Sequence, residues 1–364
     1  MKFNRHLDAL ELYEAGKPIE LVVREFGVPK EKIIKMASNE NPFGMSPKVS
    51  SAISEKAKYA YMYPDDSMFE LKTGLSDKFG VDENQIVIGA GSDQVLEMIS
   101  RAKLNSNSKV LMNKITFAMY SIYAKQMGAE ILTTDSTHHD LEQFLEIAKN
   151  ENPDLIYICT PNNPTGDALS KNEVYDFLEK ISPETLVVLD GAYMEYAIVK
   201  DDNFKIEPKD LVETFPNVIY TGTFSKAYGL GGMRVGYGIA KPEITRNILK
   251  MRPPFNITTL SLLASIEALK DWDFVQNSIE INFREMKRYV EFIEKHGLNY
   301  IESHTNFITI LLTDRYNSTT LSDKLLKEGI IVRNLRGYNL NAIRVTIGKP
   351  EENSRFFEIF ESIT

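Results

Sequence analysis

The chain predicts an α/β fold of two lobes: a large one with a mostly parallel sheet wrapped by helices, and a smaller α/β lobe towards the C-terminus. Three observations predict it. From about residue 85 to about 240, short apolar runs alternate with segments of helical period, as strands joined by crossover helices do. Pro253-Pro254 then interrupts the chain, removing two backbone donors and fixing φ. Beyond that break a second, shorter series of helices and strands begins. At 364 residues the chain exceeds one compact core, and 43% hydrophobic content is ample for two. The expected division is an N-terminal arm and loop over 1–44, a large lobe over 45–250 and a small lobe over 251–364, with the arm packed on the small lobe.

In chain order, residues 1 to about 35 give short amphipathic pieces, with Leu7 and Leu10 before Gly16-Lys17-Pro18 and Ile19, Val22 and Val23 after it, and predict a helical arm. A-S-N-E-N-P-F-G (37–44) is a turn-rich loop whose Asn39 and Asn41 are either plain loop residues or groups lining a pocket. After Y-P-D-D (63–66), Met68, Leu71 and Leu75 recur at helical spacing. Gln85-Ile-Val-Ile-Gly is a buried strand running through glycines into a helix that carries Val95, Leu96, Met98 and Ile99. Gly91, Ser92 and Asp93 at that helix start either cap it or offer free N–H groups to an anion. Strands follow at Lys109–Met112, Glu130–Thr134, Leu155–Thr160, Thr185–Asp190, Asn217–Tyr220 and Val235–Ile239, with helices between them. One of these is marked by the capping box Ser170/Glu173. Past the prolines the sequence predicts one long helical region (260–294), a strand at Asn306–Ile310, a helix closed by Gly329, and strands at Ile330–Arg333 and Ile343–Ile347. Arg333 and Arg344 lie in the last two, where an arginine needs a carboxylate partner or an anionic ligand.

Composition excludes several classes of function. With 51 acidic against 42 basic residues the net charge is -9, which disfavours nucleic acid. The single cysteine, Cys159, falls in a buried strand and permits no intrachain disulfide. The first residues have no apolar signal core and no run reaches bilayer length, so no membrane association and a cytoplasmic location are expected. The five histidines show no metal spacing with Cys159, so no metal is expected.

The chemistry gathers around Y-T-G-T-F-S-K-A-Y-G-L-G-G-M-R-V-G-Y-G (220–238). Lys226 stands among hydroxyl residues and glycines after an apolar strand, a poor setting for a solvated charge. It predicts a Schiff-base lysine for pyridoxal phosphate, with Thr223, Ser225 and Arg234 at the cofactor's phosphate. That cofactor also needs a carboxylate at its ring nitrogen, donors at its phenolic oxygen and a stacking surface. Asp190 ends a strand; Tyr193 follows it; Asn163 sits in T-P-N-N-P-T-G (160–166) at another strand end; Phe117 lies in T-F-A-M-Y. Singly, these are also a helix cap, a rigid turn and a core ring. A nicotinamide site is excluded, because Gly229-Leu-Gly231-Gly-Met-Arg234 puts arginine at the third glycine position and a strand follows.

These motifs, together with Y-E-A-G-K-P, G-A-G-S-D, D-G-A-Y, N-F-I and I-R-V-T-I-G, resemble fold-type I pyridoxal-phosphate aminotransferases, and most closely the histidinol-phosphate aminotransferase family, over nearly the whole chain. The resemblance implies Lys226 as the attachment lysine, Asp190 at the pyridine nitrogen, Asn163 and Tyr193 at the phenolic oxygen, and Phe117 stacked on the ring. It implies Ser92, Asp93, Ser225 and Arg234 at the phosphate, and Tyr63 lent to a neighbouring subunit's phosphate, hence a homodimer. Arg344 and Arg333 would bind substrate anions, with Tyr13 and Asn39 beside them. The implied reaction is amino transfer between histidinol phosphate and 2-oxoglutarate, a step of histidine biosynthesis. Threonine-phosphate decarboxylation and aromatic amino acid transamination are the alternatives on the same scaffold. A non-enzymatic sensor domain is disfavoured for lack of a DNA-binding segment. Gly191, where an acidic residue is usual, and Phe117, where tyrosine is common, depart from the family pattern.

Overall fold

A computed structural model describes residues 5–10 and 19–364. Its strands are β1 Ile34–Met36, β2 Ile86–Gly89, β3 Lys109–Met112, β4 Glu130–Thr133, β5 Leu155–Cys159, β6 Leu186–Asp190, β7 Val218–Thr223, β8 Gly236–Ala240, β9 Asn299–Ile301, β10 Phe307–Leu311, β11 Ile330–Asn334 and β12 Ala342–Thr346. They form a seven-stranded sheet, β2-β8-β7-β6-β5-β3-β4, and a five-stranded one, β1-β11-β12-β10-β9.

In the large sheet β7, β6, β5, β3 and β4 run parallel, and β8 runs antiparallel to both neighbours. β5 and β6 are buried along almost their whole length, as both-face coverage by helices requires. Their registers align Cys159 with Asp190 and Asp190 with Thr221, so the carboxyl ends of β5, β6 and β7 meet on one edge. Ligands bind at that edge in parallel α/β sheets.

The small sheet includes β1, which pairs in parallel with β11 and therefore takes residues 34–36 out of the expected arm. Gly329, at φ +83°, lets the 28–32 segment lie against the start of β11; a Cβ there would stand 2.9 Å from Val28 Cγ1. The rest of the arm divides. Residues 5–9 form a short 3-10 turn near Gly128, where His6 lies on the large lobe. Ile19, opening helix Ile19–Phe26, packs near Leu326 and Ile331 of the small lobe.

The long helical region after the prolines is two helices, Thr259–Leu269 and Trp272–Lys295, broken at Lys270-Asp271. The first, with Leu262, Ala264 and Ala268, and the early part of the second, with Val275 and Ile279, belong to the core of the large lobe. Met286, Tyr289 and Ile293 further along the second join the small-lobe core. The chain thus crosses between lobes along this 24-residue helix, later than a division at residue 251.

Candidate active site

Asp190 ends β6 at 3% exposure. The Tyr120 hydroxyl donates to its Oδ2 (2.6 Å), and Thr221 Oγ1 (3.1 Å) and the Ala192 N–H (3.2 Å) donate to Oδ1. Hydrogen bonds to a charged group contribute about 1.5–3 kcal/mol each, yet burial wins and the carboxyl is pushed above its usual range. Those three donors are all neutral. A carboxylate held in this way suits a protonated ring nitrogen.

Lys226 follows β7, half-buried, with its Nζ donating to the Ser38 carbonyl at 3.2 Å and lying 5.8 Å from the centre of the Tyr193 ring. Burial, then the Arg344 cation, push the amine down to about 8; Arg234 adds to this and Glu40 opposes it. About a tenth of it is then neutral at pH 7, far more than for a solvated lysine, which makes it a usable nucleophile.

Around the prospective phosphate, helix Gly91–Lys103 starts without a side-chain cap, so neither Ser92 nor Asp93 caps it, and its first N–H groups remain available. Arg234, at φ +55°, lies over Gly91: a Cβ on Gly91 would stand 2.5 Å from its Nη2. Arg234 Nη1 donates to Ser225 Oγ (3.4 Å) and the Gly231 carbonyl (3.0 Å), and Thr223 Oγ1 accepts from the Ser225 N–H (3.1 Å). Backbone donors, hydroxyls and one guanidinium form a donor set for an anion. The Asp93 carboxyl is pushed up by burial, with Tyr123 and Arg234 acting against this, so of its groups it is the N–H that suits an anion.

The loop 37–44 joins these parts. Asn39, in left-handed backbone at φ +56°, donates from Nδ2 to the Tyr193 hydroxyl (2.8 Å), and its Oδ1 accepts from Thr346 (3.0 Å). Asn306 donates to the Asn39 carbonyl (2.9 Å), and Asn41 donates to the Ala227 carbonyl (3.0 Å). Asn39 thus bridges the small-lobe strand β12 and the large lobe.

Arg344 donates from Nη1 to Asn163 Oδ1 and from Nη2 to the Ala37 carbonyl (2.7 Å), over the Phe307 ring. Across the antiparallel pair, Arg333 on β11 stands directly opposite Arg344. Like charges in that position destabilise a sheet, by up to about 1 kcal/mol, unless an anion lies between them. Asn163 thus contacts Arg344, and Tyr193 contacts Asn39. Phe117 is half-buried as the residue before helix Ala118–Gln126, edge-on to Tyr120 at 5.5 Å. Tyr63 is 82% exposed, its ring 4.7 Å from Phe255, and so lies apart from this cluster within the protomer. Tyr13 falls outside the described residues.

Sequence reasoning missed Tyr120 and Thr221, which hold Asp190, and Thr346, which orients Asn39. At Gly191 the structure gives a reason for the departure: a Cβ there would lie 2.4 Å from the Tyr220 hydroxyl, so the Tyr220 ring occupies the space a side chain would need.

The chain belongs to the class I and II aminotransferase family, which matches residues 31–360. It is 58% identical to the histidinol-phosphate aminotransferase of Wolinella succinogenes, over 99% of this chain and 98% of that protein. It is 57% identical to that of Aliarcobacter butzleri, over 100% and 99%. The crystal structure of histidinol-phosphate aminotransferase from Sinorhizobium meliloti in complex with pyridoxal-5'-phosphate superposes with a TM-score of 0.91 at 27% identity, over 100% of this chain and 98% of that one. The fold is therefore the fold-type I aminotransferase fold.

Proposed function

We propose that the protein is a pyridoxal-phosphate-dependent transaminase that moves an amino group between histidinol phosphate and 2-oxoglutarate, a step of histidine biosynthesis. When bound, the cofactor supplies an aldehyde carbon that takes up amines and a protonated ring that stabilises negative charge on the neighbouring carbon. The residues described fit it: a buried carboxylate with only neutral donors, a low-pKa lysine, and an uncapped helix start beside an arginine.

Asp190, steadied by Tyr120 and Thr221, keeps a proton on the ring nitrogen. Lys226 would be the covalent attachment point and, as a free amine, would hold and move a proton as general base. Tyr193, set by Asn39, and Asn163 would serve the phenolic oxygen, and Phe117 would cover one ring face. Ser92, Asp93, Thr223, Ser225 and Arg234 hold the phosphate. Arg344 and Arg333 take the substrate's distal anion, the phosphate of one substrate and a carboxylate of the other, which an arginine fork accepts alike.

The opposed arginines are the observation that carries the substrate reading, because two cations facing each other across a strand pair fit a doubly charged group. Adding histidinol phosphate to the cofactor-loaded protein is expected to convert its absorbance to that of the amino form of the cofactor. If threonine phosphate or an aromatic amino acid does so and histidinol phosphate does not, the substrate assignment is overturned.

A homodimer goes with this reading. Tyr63 at 82% exposure, with Tyr61, Met62, Phe69 and Phe255 also exposed, offers uncovered apolar surface suited to a second copy, which would receive Tyr63 at its phosphate site. Light scattering should give twice the chain mass; a fully active monomer would remove this part of the account. Among the described residues no helix is long and apolar enough to cross a membrane. A cytoplasmic location agrees with small-molecule substrates.

A further inference from the structure

A cavity of about 980 Å³ opens between helix Phe69–Phe79, helix Met194–Lys200, residues 205–208 and the segment 266–272. None of the residues proposed to hold the cofactor lines it. Its walls nevertheless belong to the segments that carry them: Glu195 is two residues past Tyr193, and Tyr220 lies on β7 with its ring beside Gly191, next to Asp190.

Glu70, Asp77, Lys205, Glu207 and Lys270 bring charges to its walls, and two further charged groups, Glu195 and Lys78, lie beside its apolar surface. Glu195 is 7% exposed and its Oε2 has no hydrogen-bond partner. Burial pushes its carboxyl up to about 6, with Lys78 acting in the other direction. The Lys78 amine lies among the rings of Trp272 (4.8 Å), Tyr228 (5.1 Å) and Phe79 (5.4 Å) and donates to the Tyr228 hydroxyl. That bond uses one of its three protons. An incompletely partnered buried anion is costly, and a ligand that completes its hydrogen bonds recovers that cost. A ligand bearing only a cation would meet Lys78, and one bearing only a carboxylate would meet Glu195. A molecule with both, on adjacent atoms and attached to an apolar group, satisfies the pair together and fills the remaining apolar space against Ile206, Ile266 and Leu269.

We propose that this cavity binds a free α-amino acid with an apolar or aromatic side chain, its carboxylate on Lys78 and its ammonium on Glu195. The site stands independently of the transamination reading.

The test is calorimetric titration of the cofactor-loaded protein with L-phenylalanine, 2-phenylethylamine and 3-phenylpropanoate, repeated on the Lys226→Ala variant. L-Phenylalanine should bind both proteins alike, and the two single-charge analogues at least about tenfold more weakly. Glu195→Gln should weaken L-phenylalanine by a similar factor. So should Ile198→Trp, which fills the cavity from a half-buried position and leaves both charges in place. No binding of L-phenylalanine would overturn the proposal. Binding that survives Ile198→Trp but is lost in Lys226→Ala would also overturn it, by placing the amino acid in the cofactor pocket.

Discussion

Lys226 is half-buried and Lys78 is more open to solvent, yet desolvation is the first cause lowering both amines. Their strongest charged neighbours have opposite signs, although Glu40 opposes the shift at Lys226. Around Lys226 the next strongest influence is the Arg344 cation, with Arg234 also contributing, and together with burial they bring the amine to about 8. Around Lys78 the charges are the carboxylates of Glu195 and Glu207, which hold the proton on. Aromatic faces on three sides favour the ammonium there as well. Desolvation alone therefore does not make a lysine a nucleophile; desolvation among other cations does. The same arginine that would receive a substrate anion primes the amine, so the anion site and the attachment site are electrostatically one device.

The largest expected effect separates the two lysines by loss of chemistry. Lys226→Ala should lower transamination between histidinol phosphate and 2-oxoglutarate by more than about 100-fold, the scale of a lost general base. Steady-state rates measure this, and a loss below tenfold would break the contrast.

A smaller effect sharpens it through pH. In the cofactor-free protein, Arg344→Gln removes a cation that lowers the Lys226 amine, so its pKa rises above about 8 and more of the amine is protonated at neutral pH. Each unit of rise cuts the neutral fraction about tenfold well below the pKa. Cofactor capture, followed by absorbance, should then be slower than in the parent at pH 7, and the gap should narrow as pH is raised through and above the parent's pKa. A gap that widens with pH would mean that Arg344 does not act on this amine.

Much of the candidate site could be proposed from the sequence because its demands are local. Lys226, Asp190 and Asn163 sit at strand ends among glycines, prolines and hydroxyl residues, where packing gives no reason for them. Their supports were not legible. Tyr120 and Thr221 look like ordinary helix and strand residues, and only the parallel register brings them to Asp190. Arg333 and Arg344 could be named singly, but their opposition is a fact of β11–β12 register. The alternating α/β order was readable from periodicity, whereas the antiparallel direction of β8 was not, since an apolar run reads the same either way. β1, at three residues, is too short to show a period, so its transfer from arm to small sheet is a tertiary result. The break at Lys270-Asp271 escaped notice because neither residue is a strong helix breaker.

The most direct measurement is chemical trapping. Borohydride reduction of the cofactor-loaded protein, followed by proteolysis and mass spectrometry, should place one cofactor mass on the peptide containing Lys226 and none on the peptide containing Lys78. Label on Lys78, or an unlabelled Lys226 in protein that retains its activity, would contradict the account.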